Sequence, residues 1–377
     1  MLSFLFNKNI MKKIGVYLFL LTLVVSCTTE SNNQQSVEDK SFRESVLSNT
    51  VDNIIVPAHV NLLTNLESLQ TAYNNFYNSV SEENFNIVKS EWRKSYVAWQ
   101  YVELYNLGKA EQISYNLRSN TYPCNTTMID MNIQNQMYDF SADNYLNYSS
   151  QGFPALDYML YGIDSDTSNI LNLYNTDNLY LEYSKALIDE LVINTQSVLN
   201  YWNDEKLSFI NSNGNTATSS LNMLTNDFIY YYEKGFRANK IGIPAGVYST
   251  SSSLPQNVEG YYSQYFSKTL ALHSLESSRK FFTGESFSSS QTGSSLVTYL
   301  DFLDVTNSVL TDDIISKFEN SKQQLEMLEN NFVNQIQSDN MKMLATFDAI
   351  QEAVPLMKIQ MLQALKIKVD YVDADGD

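Results

Sequence analysis

Two carboxylates stand where the surrounding pattern points to a protein interior, and chemistry is expected there first. Phe85, Val88, Trp92, Tyr96, Trp99 and Glu103 step by three or four, so one helix through them places Glu103 on the same stripe as two tryptophans. Asp157 belongs to Gly152-Phe153-Pro154-Ala155-Leu156-Asp157-Tyr158-Met159-Leu160-Tyr161-Gly162, a turn and short helix with Pro154 in the first turn and Gly162 at the cap. It falls four residues after Phe153 and three before Leu160, on the apolar side. A carboxylate withdrawn from water needs a partner or a raised pKa, and both conditions recur at functional sites. The plainer alternative for Glu103, a buried carboxylate answered by an ordinary hydrogen bond, carries equal weight.

Histidine is scarce. With His59 and His273 alone in the chain, zinc sites built on three histidines and the His-Glu-x-x-His signature are excluded. His59, two residues after Pro57, could approach a cleft as a ligand, although a histidine on an apolar helix face is more often a hydrogen-bonded core residue. His273 and Glu276 share a helix face, a spacing that chance supplies readily.

These residues need long helices to position them, and the sequence reads as all-α. Apolar residues recur at helical spacing over about 41 to 80, 82 to 107, 176 to 204, 217 to 239, 258 to 282 and 309 to 364. Tyr180, Tyr183, Leu187, Leu191, Val198 and Trp202 form one such stripe. Pro57 is expected to kink the first segment and Pro355 to break the last. Two loop-rich stretches, 108 to 152 and 240 to 257, carry the glycine and proline punctuation. The Ser/Asn/Gly/Thr run 211 to 220 divides two helical-bundle halves, 41 to 210 and 221 to 377. Lys366 to Val372 alternates enough for a short C-terminal strand, and the acidic ending to Asp377 reads as a solvated terminus.

The first residues read as an address. Lys12 and Lys13 precede an apolar run, Ile14 to Val25, of the length of a secretory signal, and Val24-Val25-Ser26-Cys27 resembles the lipobox of bacterial lipoproteins. Residues 1 to 26 are thus expected to be removed, Cys27 to be lipidated, and 27 to 40 to form a flexible tether. Cleavage takes away Lys8, Lys12 and Lys13 and no acidic residue, leaving 21 basic residues against 42 acidic. Such a chain repels nucleic acid and is held to a membrane by lipid rather than by charge. With Cys27 acylated, Cys124 has no intrachain partner. The expected location is the cell envelope, on the outer membrane facing the periplasm.

Taken in order, the segments resemble the imelysin family of bacterial envelope proteins, once described as insulin-cleaving peptidases and associated with iron uptake. The resemblance runs from about Val51 to Asp377 through Ile55-Val56-Pro57-Ala58, Trp92 and Trp99 with Glu103 and Gly108, Tyr122-Pro123, Ile129-Asp130 and Gly152 to Gly162. It continues in Tyr231-Tyr232-Glu233, Lys240-Ile241-Gly242-Ile243-Pro244 and Val369-Asp370. The resemblance implies an all-α pair of bundles with a site in the cleft between them. It also implies a Gly-x-His-x-x-Glu signature, which this chain alters: Gly152 is kept, the His position is Pro154 and the Glu position is Asp157. Proline offers no ligand, so metallopeptidase action through that motif is not expected. The cleft is expected to bind through Trp99, Glu103, Asp130, Pro154, Asp157 and Lys240. Glu103, Asp130 and Asp157, with His59 and nearby tyrosines, would suit iron or another hard cation. The leading expectation is a lipid-anchored binding or accessory protein working with iron-uptake proteins of the envelope. An insulin-cleaving type of metallopeptidase and a structural interaction module are the alternatives.

Overall fold

Helical periodicity becomes helix along nearly all of the chain in the computed structural model, which describes residues 36–250 and 252–370. Helix α1 (Val37–Thr50) passes through one wide i→i+5 turn, Val51–Ile55, into α2 (Val56–Asn78). The wide turn sits just before Pro57, where a backbone that has lost a donor is most easily rearranged. Helix α3 (Glu82–Trp99) starts where Ser81 accepts a hydrogen bond from the Asn84 amide and two glutamates fill the first turn. Leu62, Leu66, Leu69 and Phe76 of α2 meet Phe85, Val88, Trp92 and Trp99 of α3 and the Leu187, Leu191, Val198 and Trp202 stripe of α7 (Asn178–Asn211). Each of these buried side chains contributes on the order of 1.5–3 kcal/mol by leaving water.

Between α3 and α7 the chain forms short pieces rather than open loop: α4 (Tyr115–Asn120), α5 (Thr126–Asn135) and α6 (Gly152–Tyr161). Gly152 has φ +76, and a side chain there would collide with the Ser119 carbonyl oxygen of α4. Glycine is therefore what lets α6 start against α4.

The second half opens with α8 (Ser220–Tyr230), which continues without a break as a twelve-residue i→i+5 segment, Tyr231–Gly242. Helices α9 (Ser267–Thr283), α10 (Leu296–Leu303), α11 (Ser308–Glu326) and α12 (Phe332–Gln351) complete it. Helix α1, although first in the chain, packs here. Phe42 stacks on Phe302 at 4.6 Å, buried Arg43 reaches Asn222 and Tyr299, and Asn49 donates to the Gly284 and Ser294 carbonyls at 3.0 Å. Among the described residues the chain from Glu38 to Asp370 packs as one unit.

Several expectations shift. Val37 to Lys40, read as tether, are helical, with Glu38 and Asp39 suited to the positive end of α1. The helix bearing Trp99 ends there, and Glu103 follows in a turn that keeps helical direction through its amide bond to the Trp99 carbonyl at 3.0 Å. Residues 258 to 266 form turns instead of helix, because Gly260 at φ +70 interrupts the pattern. Pro355 does not end the last helix: wide turns at Leu356–Met361 absorb the lost donor and the chain coils on to Leu365. The expected C-terminal strand is absent through Asp370: Lys366 takes φ +56, and beyond it the Lys368 carbonyl and Asp370 amide bond to the Asn226 side chain rather than to a strand; Tyr371 and Val372 lie outside the described residues. So do the expected signal segment and Cys27. No helix among the described residues is long and apolar enough to cross a membrane.

Candidate functional site

Glu103 faces across the seam between the two halves, and Lys240 and Tyr231 of the second half answer it. Lys240 Nζ lies 3.2 Å from Glu103 Oε2 and 2.7 Å from Glu259 Oε2. Asn120 at the end of α4 bridges both acids, its Nδ2 donating to Glu103 Oε1 at 2.7 Å and Glu259 Oε1 at 2.8 Å. The Tyr231 hydroxyl donates to Glu103 Oε2 at 3.1 Å, and Gln100 Nε2 to Glu259 Oε1 at 3.2 Å. Lys240 and Glu259 are 2% exposed and Glu103 is 9% exposed. Two carboxylates thus share one ammonium away from water. Burial pulls the Lys240 pKa down, but Glu103 and Glu259 outweigh it and leave the value raised. Burial first, then the acids, hold the Tyr231 and Tyr122 phenols far above their usual range, so these hydroxyls stay protonated. The arrangement is fully hydrogen-bonded yet carries one negative charge more than it neutralises.

The helix geometry explains why both Tyr231 and Lys240 can reach Glu103. With about 3.6 residues per turn, positions nine apart on an α-helix point to opposite sides. The i→i+5 segment takes more residues per turn, which brings the two side chains round to one face. Wide turns of this kind concentrate at functional sites.

A cavity of about 440 Å³ opens beside the cluster, lined by Glu103, Asn106, Asn116, Asp227, Tyr231 and Asp370 among others. A second of about 230 Å³ shares Asn120, Asn239 and Leu117 with it, and a third of about 180 Å³ shares Tyr122 with the second. Together they follow the seam from Asp227 to the altered signature.

At that third cavity Pro154 and Asp157 line the wall with Cys124, Tyr122 and Tyr262. Both Asp157 oxygens are already engaged: Oδ2 accepts from the Tyr262 amide and Oδ1 from the Ser263 amide, each at 2.8 Å. Burial pushes the Asp157 pKa to about 7, against the pull of those two donors. Burial likewise raises the Cys124 thiol to about 12, far from a reactive thiolate. With proline in the ligand position and the acid clasping a backbone turn, these residues do not fit the metal that the family signature implies.

The other expected residues are dispersed. Asp130 sits on α5 beside the Tyr158 hydroxyl, which pulls its pKa back against the raising effect of burial. His59 is buried in α2, its Nδ1 2.8 Å from the Ile55 carbonyl, and desolvation lowers its pKa to about 4. Trp99 packs in the core at 4.9 Å from Tyr115 and 5.9 Å from Phe153. His273 bonds to the Tyr101 hydroxyl at 2.8 Å, while Glu276 is taken by Arg279. Among the described residues no three His, Cys, Asp or Glu side chains converge as metal ligands, so Glu103, Asp130, Asp157 and His59 are not brought together as one cation site. Glu103 and Lys240 are brought together. Glu259, Asn120 and Asp227 were not legible as site residues, since none belongs to a stripe or motif; the Glu259-Gly260 pair after Pro255 was the only local hint of a turn there.

A family model described as Imelysin matches residues 55–356. An imelysin-like protein from Psychrobacter arcticum 273-4 shares the fold, with a TM-score of 0.69 at 17% identity over 88% of this chain and 98% of the other. A Parabacteroides distasonis ATCC 8503 protein, described as a candidate iron-regulated protein A precursor, aligns with a TM-score of 0.64 at 14% identity, covering 87% of this chain and 95% of its own. No curated protein matches the sequence.

Proposed function

The chain belongs to the imelysin family, and from that premise we propose that it is a lipid-anchored binding or accessory protein of the cell envelope that serves iron acquisition through the seam at Glu103. The observation that carries this reading is the buried Glu103–Lys240–Glu259 cluster, two carboxylates on one ammonium, beside a 440 Å³ cavity. Its surplus negative charge favours a positively charged partner, and the cavity has the size of a small-ligand site. The description of the Parabacteroides relative supports the iron connection. Lipidation at Cys27 supplies the anchor.

Peptidase action is the weaker reading, because Pro154 and the doubly bonded Asp157 leave the signature without a metal-ligand set. The test combines expression with binding. Iron starvation should raise expression, and mature protein should take up iron(II) under anaerobic conditions or iron(III) offered as its citrate complex. Glu103→Gln should weaken that uptake at least about tenfold, the cost of one charge-assisted contact. No uptake of either form, with expression indifferent to iron, contradicts the reading. Chelator-sensitive cleavage of casein would restore the peptidase.

A further inference from the structure

The seam cavity beside Asp227 is rich in oxygens that have nothing to accept. Asp227 Oδ2, Asn106 Oδ1 and Asn116 Oδ1 are buried and without a hydrogen-bond partner. The Asn116 amide is not free to turn over, because its Nδ2 donates to the Glu103 carbonyl at 2.7 Å. All three residues line the 440 Å³ cavity together with Glu103, from the cluster that already carries surplus negative charge. The mouth has a different character: Leu117 is 55% and Tyr230 48% exposed.

We propose that this cavity binds a primary ammonium group carried on a short apolar stem. The inference rests on the seam being a ligand site and names the chemistry of what enters. An ammonium has three donors and no acceptor, which suits a wall whose unpartnered side-chain atoms are oxygens, beside the Glu103 carboxylate. Leaving such oxygens unmet costs about 1–3 kcal/mol each, which a donor-rich head group recovers. The stem lies against Leu117 and the Tyr230 ring, where an aromatic face also attracts a cation. Calcium serves as the control for a bare cation, which needs several oxygens converging at roughly 2.0–2.6 Å. Lys234 also lines the cavity, its ammonium 3.8 Å from Glu233. Asp227 adds a signature. Burial, then Asp370 and Glu111, raise its pKa to about 8, so an arriving ammonium displaces its proton and binding tightens as pH rises from 6 toward 8.

Titration calorimetry on the mature full chain at pH 7, in two buffers of different ionisation enthalpy, tests this with butylamine, Nα-acetyl-lysine amide, N-butylacetamide and calcium. Both amines should bind with proton release, and N-butylacetamide, which lacks the charge, should not. The tighter of the two amines tells whether a free amine or a lysine side chain is the source. Asp227→Asn should weaken amine binding at least about tenfold and abolish the proton release. Tyr230→Ala, on the rim, should weaken it severalfold and keeps the test open if Asp227→Asn proves unstable. N-butylacetamide or calcium binding as well as the amines, amine affinity indifferent to both substitutions, or no amine binding at all would overturn the inference. Iron uptake that depends on Glu103 in the absence of amine binding would remove the ammonium reading alone; loss of both would remove the seam as a ligand site.

Discussion

Glu103 and Lys240 illustrate how charge arithmetic predicts asymmetric mutants. Lys240→Met leaves Glu103 and Glu259 facing each other without a cation, and should destabilise the protein by about 3–5 kcal/mol. Glu103→Gln removes the surplus charge and leaves the 2.7 Å Lys240–Glu259 pair intact, but its amide N–H₂ meets a donor of Asn120 or Lys240, so it should cost only about 1–3 kcal/mol, less than Lys240→Met. Thermal unfolding of the two variants decides the matter, and equal destabilisation would refute the surplus-charge reading. Asp157 gives a pH prediction. Its folded pKa of about 7 exceeds the ordinary carboxylate value, so the folded state holds a proton that the unfolded chain has released. Its contribution is complete below about pH 4 and is lost as pH rises through about 7. Asp157→Asn should flatten that fall in urea unfolding from pH 4.5 to 7.5, while costing about 1–3 kcal/mol because its amide N–H₂ meets a backbone N–H. A slope unchanged by the substitution would contradict it. At this scale the sequence showed that Glu103 and Asp157 leave water, since each sits on an apolar stripe. It could not show that Asp157 is answered by the backbone of residues 262 and 263, because that contact is set by a turn 105 residues away.

At the scale of elements, the legible part was the long helices. The stripe from Tyr183 to Trp202 and the run from Phe85 to Trp99 are buried as their spacing requires, while Tyr180 at the start of the first is only partly covered. What periodicity could not reveal was the wide-turned stretch Tyr231–Gly242, since a local change in residues per turn leaves no mark on composition. That stretch is what aims Tyr231 and Lys240 at one acid. The turn 258 to 266 was read as helix for a similar reason: its apolar residues happen to fall at helical spacing, and Gly260 overrides them. Glycine also governs the start of α6. Gly152→Ala must either abandon φ +76 or push against the Ser119 carbonyl, and should lower stability by at least about 2 kcal/mol in chemical unfolding. A variant as stable as the wild type would show that α4 and α6 can part without cost.

For the whole molecule, two halves described the pattern but not the path of the chain. Helix α1 precedes the first bundle and packs on the second through Phe42, Arg43 and Asn49, contacts separated by up to 260 residues in sequence. Periodicity within a helix cannot say which bundle it joins. A chain beginning at Val51 loses the aromatic stack and the buried Arg43 bonds and should unfold several degrees lower than one beginning at Ser36, or fail to fold. Equal melting temperatures would make α1 an ornament. The central claim is that the seam cluster holds an unspent negative charge for a cationic ligand. The most direct measurement is the affinity of folded wild type and folded Glu103→Gln for iron(II) and for butylamine, side by side. The account predicts a loss of at least about tenfold in whichever ligand binds, with the fold unharmed. Equal affinities in the two proteins would contradict it.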